Sequence, residues 1–311
     1  MSARKSGKAG QPVTIASAAS LTSAETAEAL ALKQVCDAAD GLDLKLVWSG
    51  QGEGPQVFLA RAGAELVGYC SLDGDGAVAE LCGMVAPAWR RRGIALRLFE
   101  AARVAFRDGG GEQLYAICED ASVAGRAFME ALSAQRSFSE HRMELGAKDL
   151  PPDDGALEVR QLHSGDQASI SDFARVTADG FERSMEQTLR HIPTNLDDPN
   201  ERLYLALAHG APIGAFKLYR EGATVGIYGF TVERSRQRQG LGRRMLARAC
   251  ALAHEQGAER VTLEVETTNE RAIALYTSSG FETTTTYGYY ALSRSLLAAG
   301  LHGAISEMVE E

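Results

Sequence analysis

The stretch Gln237-Arg238-Gln239-Gly240-Leu241-Gly242 decides how this chain is read, because it recurs as Arg90-Arg91-Arg92-Gly93-Ile94-Ala95 at a constant offset of 147 residues. The same offset carries Val85 to Val232, Leu114 to Val261, Glu119 to Glu266 and Leu145 to Leu292, with no insertion between Val85 and Leu145. A duplicated domain accounts for such a run better than chance does. The length of 311 residues agrees, since one hydrophobic core seldom serves so long a chain and domains of about 150 residues are the rule.

The surroundings of each motif read alike. Leu66–Leu72, a glycine-rich turn at Asp73-Gly74-Asp75-Gly76, and Val78–Val85 predict a strand hairpin. Ile213–Tyr219, Glu221-Gly222 and Thr224–Val232 repeat it. Past the glycines a helix is expected over Ile94–Arg107 and over Leu241–Gln256, where Leu241, Met245, Leu246, Ala249 and Leu252 fall along one face. A short apolar strand follows in each copy (Leu114–Cys118, Val261–Val265), then a second helix (Val123–Leu132, Glu270–Ser278). Earlier helices are expected over Ala24–Ala39, Gln167–Asp179 and Met185–His191. This order predicts an α/β fold with a mixed sheet, built twice. The expected division is a flexible tail over 1–12, an N-terminal domain over 13–150, a linker at 151–156 where Pro151, Pro152 and Gly155 cluster, and a C-terminal domain over 157–311 ending in an extra helix from Ser293 to Val309.

Composition narrows the function. A net charge of −9 speaks against a polyanionic partner, because nucleic acid is held by clustered Lys and Arg, and it suits a cationic substrate. The one basic run, Arg234 to Arg244, overlaps the glycine motif. Five scattered cysteines without a C-x-x-C spacing read as free thiols of a reducing cytoplasm. The six histidines are isolated, without metal-ligand spacing, and no metal is expected. No stretch reaches the apolar length that crosses a bilayer, so no membrane association is expected. The oligomeric state stays open between monomer and homodimer.

A glycine turn between strand and helix lets backbone N–H groups and the positive end of the helix dipole hold a pyrophosphate. Taken alone, Gln237, Arg238, Gln239, Gly240, Leu241 and Gly242 could equally be a tight turn, with Arg238 and Arg243 adding charge. The motif does not stand alone: Asn269, Ala272, Leu275, Tyr276 and Gly280-Phe281 follow it at a fixed spacing. The combination Q-x-x-G-x-G, then N-x-x-A-x-x-L-Y-x-x-x-G-F, resembles the GNAT superfamily of N-acetyltransferases, well over Leu157–Leu292 and more weakly over Leu42–Leu145. The two-domain layout is similar to that of the mycothiol synthase type.

That resemblance implies two tandem GNAT folds and acetyl-coenzyme A as cofactor. It places pyrophosphate on the glycine loop and pantetheine along Phe230, Thr231 and Val232, with Asn269 on the cofactor arm and Tyr276 as the acid that protonates the departing thiolate. A phenol suits that task because it donates a proton as charge develops. Many members use a Glu on the fourth strand as base, and the stretch Val225-Gly226-Ile227-Tyr228-Gly229 has none. Glu264, Glu266 and Tyr228 stand as alternatives.

The N-terminal copy departs in the other direction. It keeps Glu80 on the fourth strand and a possible second cofactor site at Val85, Arg90, Arg91, Arg92, Gly93, Ile94 and Ala95. It has Ser122 in place of Asn269, Met129 in place of Tyr276 and Ser133-Ala134 in place of Gly280-Phe281, which argues for a structural or substrate-shaping role. The expected function is acetyl transfer to the primary amine of a small molecule such as a polyamine, amino sugar, antibiotic or amino-acid-like compound, in a cleft between the domains or beside Tyr228, Glu264 and Tyr276. The alternatives are a protein or peptide acceptor and a non-catalytic acyl-coenzyme-A sensor.

Overall fold

The computed structural model describes residues 11–46, 56–74, 77–146, 155 and 157–298, without the side chains of His191 and Thr194. Most of the expected tail at 1–12, the expected linker at 151–156 apart from Gly155, and the expected terminal helix past 298 lie outside the described residues.

The first half runs β1 (Val13–Ala18), α1 (Ser23–Asp40), β2 (Val57–Ala62), β3 (Glu65–Gly74), β4 (Val78–Val85), α2 (Ile94–Asp108), β5 (Gln113–Glu119), α3 (Val123–Ala131) and β6 (Gln135–Leu145). The second runs β7 (Glu158–Gln161), α4 (Gln167–Phe181), α5 (Met185–Asp197), β8 (Glu201–Ala208), β9 (Ala211–Glu221), β10 (Thr224–Val232), α6 (Leu241–Glu255), β11 (Arg260–Glu266), α7 (Glu270–Thr277) and β12 (Phe281–Ala291), then α8 (Arg294–Ala298). The α/β order expected from the sequence is therefore present twice.

By contacts the chain forms two units, one reaching Ser139 and resuming at Thr286, the other spanning Glu140–Thr285. The sequence reading cut the chain once, near 151–156, whereas these units divide both β6 and β12. The physical cause is the end of the chain. Tyr287–Ala291 pair antiparallel with Glu119–Tyr115 of β5, and Tyr287, Tyr289, Leu292 and Leu297 are buried. The guanidinium of Arg103, itself 1% exposed, donates to the Leu297 carbonyl and pairs with Glu100. The terminal segment thus completes the first unit's core.

Within the first unit β1 to β4 are antiparallel neighbours in order and β4 meets β5 in parallel. α1 covers one sheet face through Ala29, Leu32 and Cys36, and α2 and α3 cover the other through Ile94, Leu98, Phe99 and Met129. The second unit repeats this, with β7 to β10 antiparallel, β10 parallel to β11 and β11 antiparallel to Glu140–Glu144 of β6. One face packs on α4 and α5 around Phe173 and Ile192, the other on α6 and α7 around Met245, Leu246 and Phe281.

One feature of each sheet positions the site. The parallel pairing of β4 with β5 ends at Leu81 and Ala116, and that of β10 with β11 ends at Ile227 and Leu263. Each strand runs on beyond these pairs, so the parallel ladder stops and the two part in a V-shaped opening.

Candidate active site

Both glycine loops have the same backbone. Arg238 and Gly240 take positive φ (62° and 77°), as do Arg91 and Gly93 (60° and 70°). Gly240 and Gly93 are the N-caps of α6 and α2, and neither helix start receives a side-chain cap. α1, α3, α4, α5 and α7 are capped by Thr22, Ser122, Asp166, Ser184 and Asn269. The first N–H groups of a helix have no intrahelical acceptor, so the two glycine-led helices present theirs to whatever lies in front. A left-handed residue two before the glycine turns further N–H groups into the same concavity, which favours an anion.

The side chains of the second loop shape it more than they charge it. The Gln237 amide donates to the Val232 carbonyl at 3.1 Å and the Gln239 amide to the Ser235 carbonyl at 3.3 Å. Arg243, expected to add charge at the loop, reaches the C-terminal end of α7, donating to the Ser278 carbonyl and hydroxyl at 3.1 and 2.7 Å. Arg238 stays exposed beside the loop. Gly242 lies 3.5 Å from Leu275 by its would-be Cβ, in ordinary contact, so it packs α6 against α7.

At the opening, β10 is irregular. Its register with β9 slips by one residue between Tyr228 and Thr231, where Gly229 takes φ 55°. This β-bulge splays the strand and re-aims Phe230 and Thr231. β4 of the first unit keeps a constant register with β3 from Val85 to Ala79, and Cys82 stands where Gly229 does. A cysteine at positive φ is disfavoured, a glycine is not. Gly229 was read in the sequence only as part of a strand lacking a carboxylate; the signal available was its replacement in the sister copy.

Tyr276 comes to this bulge. Its ring lies 6.2 Å from Phe230, edge to face, and 6.1 Å from Phe281. The residue is 6% exposed, and burial pushes its phenol pKa up to about 12. Its hydroxyl makes no hydrogen bond among the described residues, so the proton is uncommitted. Asn269 caps α7 by accepting from the Ala272 N–H at 3.2 Å, which occupies its oxygen and leaves its amide hydrogens for another acceptor.

The other candidates sit on the opposite sheet face. Ile227 and Leu263 point into the α6–α7 core, so by strand alternation Tyr228, Glu264 and Glu266 point towards the α4–α5 side. There Tyr228 pairs with Lys217 of β9, and Glu264 with Arg142 of β6. Lys217 holds Glu201 at 2.6 Å. Glu266 lies directly across from Glu140 and accepts from the Thr268 hydroxyl at 2.7 Å. The structure therefore places Tyr276 and the three base candidates on opposite faces of the sheet. Lys217 and Arg142 were missed in the sequence because only strand register brings them into this row.

The first unit holds a cavity of about 380 Å³ at its own opening. Val85, Arg90, Arg91, Gly93, Ile94 and Ala95 line it, with Ser122 and Met129; Arg92 does not, its guanidinium lying 4.8 Å over the Trp89 ring. Arg90 repeats the role of Gln237, donating to the Val85 carbonyl at 3.1 Å. It also grips Asp40 at the end of α1 through two bonds of 2.8 and 2.6 Å, which hold the Asp40 carboxyl below its usual range. Glu80 is outside the lining, while Glu119, Lys45 and Tyr287 are part of it. Ser122 caps α3 through the Gly125 N–H at 3.0 Å. All five cysteines are free and buried, and burial raises the Cys70 and Cys250 thiols to about 12, so none is a ready nucleophile.

The acetyltransferase (GNAT) family profile matches residues 24–133 and 168–281. A mycothiol acetyltransferase of Clavibacter sepedonicus is 29% identical over 75% of this chain and 79% of its own length. One from Acidothermus cellulolyticus is 30% identical over 70% and 72%. Among solved structures, a GCN5-related N-acetyltransferase from Sphaerobacter thermophilus superposes with a TM-score of 0.70 over 90% of this chain and 95% of that one, at 17% identity. A tandem GNAT protein from the clavulanic acid biosynthesis pathway gives 0.66 over 90% and 98%, at 18%. Each matched region contains one glycine loop, one uncapped helix start and one parted strand pair, and together the two regions take in most of the chain: it belongs to the GNAT family, as an N-acetyltransferase with two tandem domains.

Proposed function

We propose that the second unit transfers an acetyl group from acetyl-coenzyme A to the primary amine of a small molecule, and that the first unit holds an acyl-coenzyme A without turning it over. The observation that carries this is the meeting, at one strand opening, of an uncapped glycine-led helix, a β-bulge and a buried phenol with no partner.

The residues fit the cofactor. The N–H groups at the start of α6, with Arg238 and Gly240 in left-handed conformation, suit the pyrophosphate. The backbone of Phe230, Thr231 and Val232 beyond the bulge suits the amides of the pantetheine, and the Asn269 amide can donate to one of its carbonyls. The cofactor supplies an acetyl group already activated as a thioester.

Tyr276 donates its proton towards the sulfur side. A pKa raised by burial keeps the phenol protonated at neutral pH, and its surroundings of Phe230 and Phe281 exclude competing water. On the other face an ammonium substrate meets Glu264 and Glu266, either of which takes up its proton before attack, directly or through the Tyr228 hydroxyl, which accepts that proton as it passes its own to the carboxylate. The acidity of the chain favours such a cation. The similarity to mycothiol acetyltransferases supports a small-molecule acceptor.

For the first unit the reading rests on its lined cavity with Met129 in place of the phenol and a regular β4 in place of the bulge. Binding without an acid or a strand bulge is the expected result.

Calorimetric titration of acetyl-coenzyme A into the wild type and Gly240→Asp tests both parts. Two sites in the wild type with one lost in the variant is the expected outcome. Unchanged stoichiometry and affinity in the variant refutes the loop assignment, and no binding to either protein refutes the acetyltransferase reading of the site.

A further inference from the structure

The cavity of the first unit touches both faces of its sheet. Leu81, Leu98, Phe99 and Met129 bound it on the face covered by α2 and α3, while Leu44, Met84 and Tyr69 belong to the cluster under α1. Paired strands keep two faces apart, so one cavity reaches both only where pairing has stopped. For β4 and β5 that place lies past Leu81 and Ala116, and Gly83 and Ile117 of the parted ends are in the lining. The glycine loop opens on the first face, because Arg91, Gly93 and Ile94 line the same cavity and α2 begins there. The cavity thus has a loop-side arm and, beyond the opening, a second arm on the α1 face.

That second arm is walled by apolar side chains. Past the C-cap at Gly41 the chain runs over the α1 face as residues 42–46, and Leu42 and Leu44 line the cavity together with Met84 and Ile117. The polar groups beside them hold this segment in place. The Glu119 carboxylate accepts from the Asp43 N–H at 2.9 Å, and the Tyr287 hydroxyl donates to the Asp43 carbonyl at 2.7 Å. The Lys45 ammonium donates to the Tyr289 hydroxyl at 2.6 Å and lies over the rings of Tyr287 and Tyr289. Met129, standing where Tyr276 does, adds a polarizable apolar surface in place of a phenol. In the second unit Phe230 stands where Gly83 does, and its ring lies against Tyr276.

We infer that the first unit selects an acyl-coenzyme A whose acyl group is aliphatic, uncharged and longer than acetyl. The acyl chain passes the strand opening and lies among Leu42, Leu44, Met84 and Ile117. This rests on the reading that the first unit holds an acyl-coenzyme A, and names the acyl class. Acetyl carries one carbon past its carbonyl and leaves most of that wall uncovered. Each further methylene placed in the arm leaves water, which is worth about fourfold in affinity.

The test is calorimetric titration of acetyl-, propanoyl-, butanoyl-, hexanoyl- and succinyl-coenzyme A into the full chain carrying Gly240→Asp, which blocks the loop of the second unit. Affinity should rise about fourfold per methylene, so about 16-fold from acetyl to butanoyl. Hexanoyl should bind at least as tightly as butanoyl, and succinyl more weakly. Adding Leu44→Ser should lower the butanoyl-to-acetyl ratio about fourfold, the worth of one methylene contact, with acetyl affinity kept. Leu42→Trp, which narrows the arm, should weaken hexanoyl more than acetyl, and Leu44→Met should retain the ratio. A butanoyl-to-acetyl ratio of one or less, succinyl binding tighter than butanoyl, or a ratio that neither Leu44→Ser nor Leu42→Trp moves overturns the inference and leaves cofactor binding by the first unit intact. No binding of any of the five to Gly240→Asp overturns the reading of the first unit and this inference together.

Discussion

Replacing Tyr276 by Phe removes one oxygen and leaves the ring between Phe230 and Phe281. Because that oxygen has no hydrogen-bond partner among the described residues, the fold loses no bond, and Tm at neutral pH should stay within about 2 °C of wild type. Turnover should change far more. A positioned general acid is worth about 10²–10⁴ in rate, so kcat should fall at least about 100-fold while the affinity for acetyl-coenzyme A stays within about threefold. Alkaline stability supplies an independent reading of the same phenol. Burial moves its pKa from 10 to about 12. The group is thus stabilising in its protonated form, fully below pH 10, and that contribution is lost as pH rises from 10 to about 12. One pKa step is about 1.4 kcal/mol, so wild type should lose up to about 3 kcal/mol across that range that Tyr276→Phe does not lose. Thermal melts of both proteins at pH 8 and pH 11, beside a thiol-release assay at neutral pH, measure all three quantities. A kcat within threefold of wild type removes Tyr276 as the acid, and a Tm gap that does not widen with pH contradicts the buried phenol.

Three further outcomes follow from the geometry. Gly240 has φ 77° and open space around its would-be Cβ, so Gly240→Ala and Gly240→Asp should each cost only the left-handed penalty of about 1–2 kcal/mol by thermal melt, while Asp alone abolishes cofactor binding in the second unit. Gly180→Ala would place a Cβ 1.8 Å from the Thr231 hydroxyl; a loss of about 1–3 kcal/mol and a fall in kcat are expected, with Thr231→Ala restoring part of the Tm, and an undisturbed melt would refute the contact. Ending the chain at Thr285 removes Tyr287, Tyr289, Leu292 and Leu297 from the first unit; at about 1.5–3 kcal/mol each the loss matches a whole domain's stability, and scanning calorimetry should show that unit's transition gone.

Helices, turns and the repeat were legible in the sequence because they are local. The helix expected over Ile94–Arg107 is Ile94–Asp108, and that over Leu241–Gln256 is Leu241–Glu255. The glycines at 93 and 240 take the left-handed conformation that their place ahead of a helix suggested. The strand exchange was not legible, because pairing Tyr287 with Glu119 spans most of the chain and no local rule fixes it. A trace of it was visible: Thr283–Thr286 give way to Tyr287, Tyr289 and Tyr290, and the change from polar to aromatic falls where the chain passes between units. The row Lys217, Tyr228, Glu264 and Arg142 likewise needed register, which slips of a single residue would undo.

The two copies keep the loop, the uncapped helix and the parted strands, and differ at Gly229 against Cys82, Tyr276 against Met129 and Asn269 against Ser122. Two of these differences preserve structure: Ser122 caps its helix as Asn269 does, and Met129 is buried as Tyr276 is. What the first copy lacks is the amide of Asn269, the hydroxyl of Tyr276 and the bulge at Gly229, none of which the fold itself requires. In a duplicated chain, positions that diverge while their packing or capping role persists are the ones free to carry chemistry, and here Tyr276 is such a position, set against Phe230 beside the bulge that the first copy lacks.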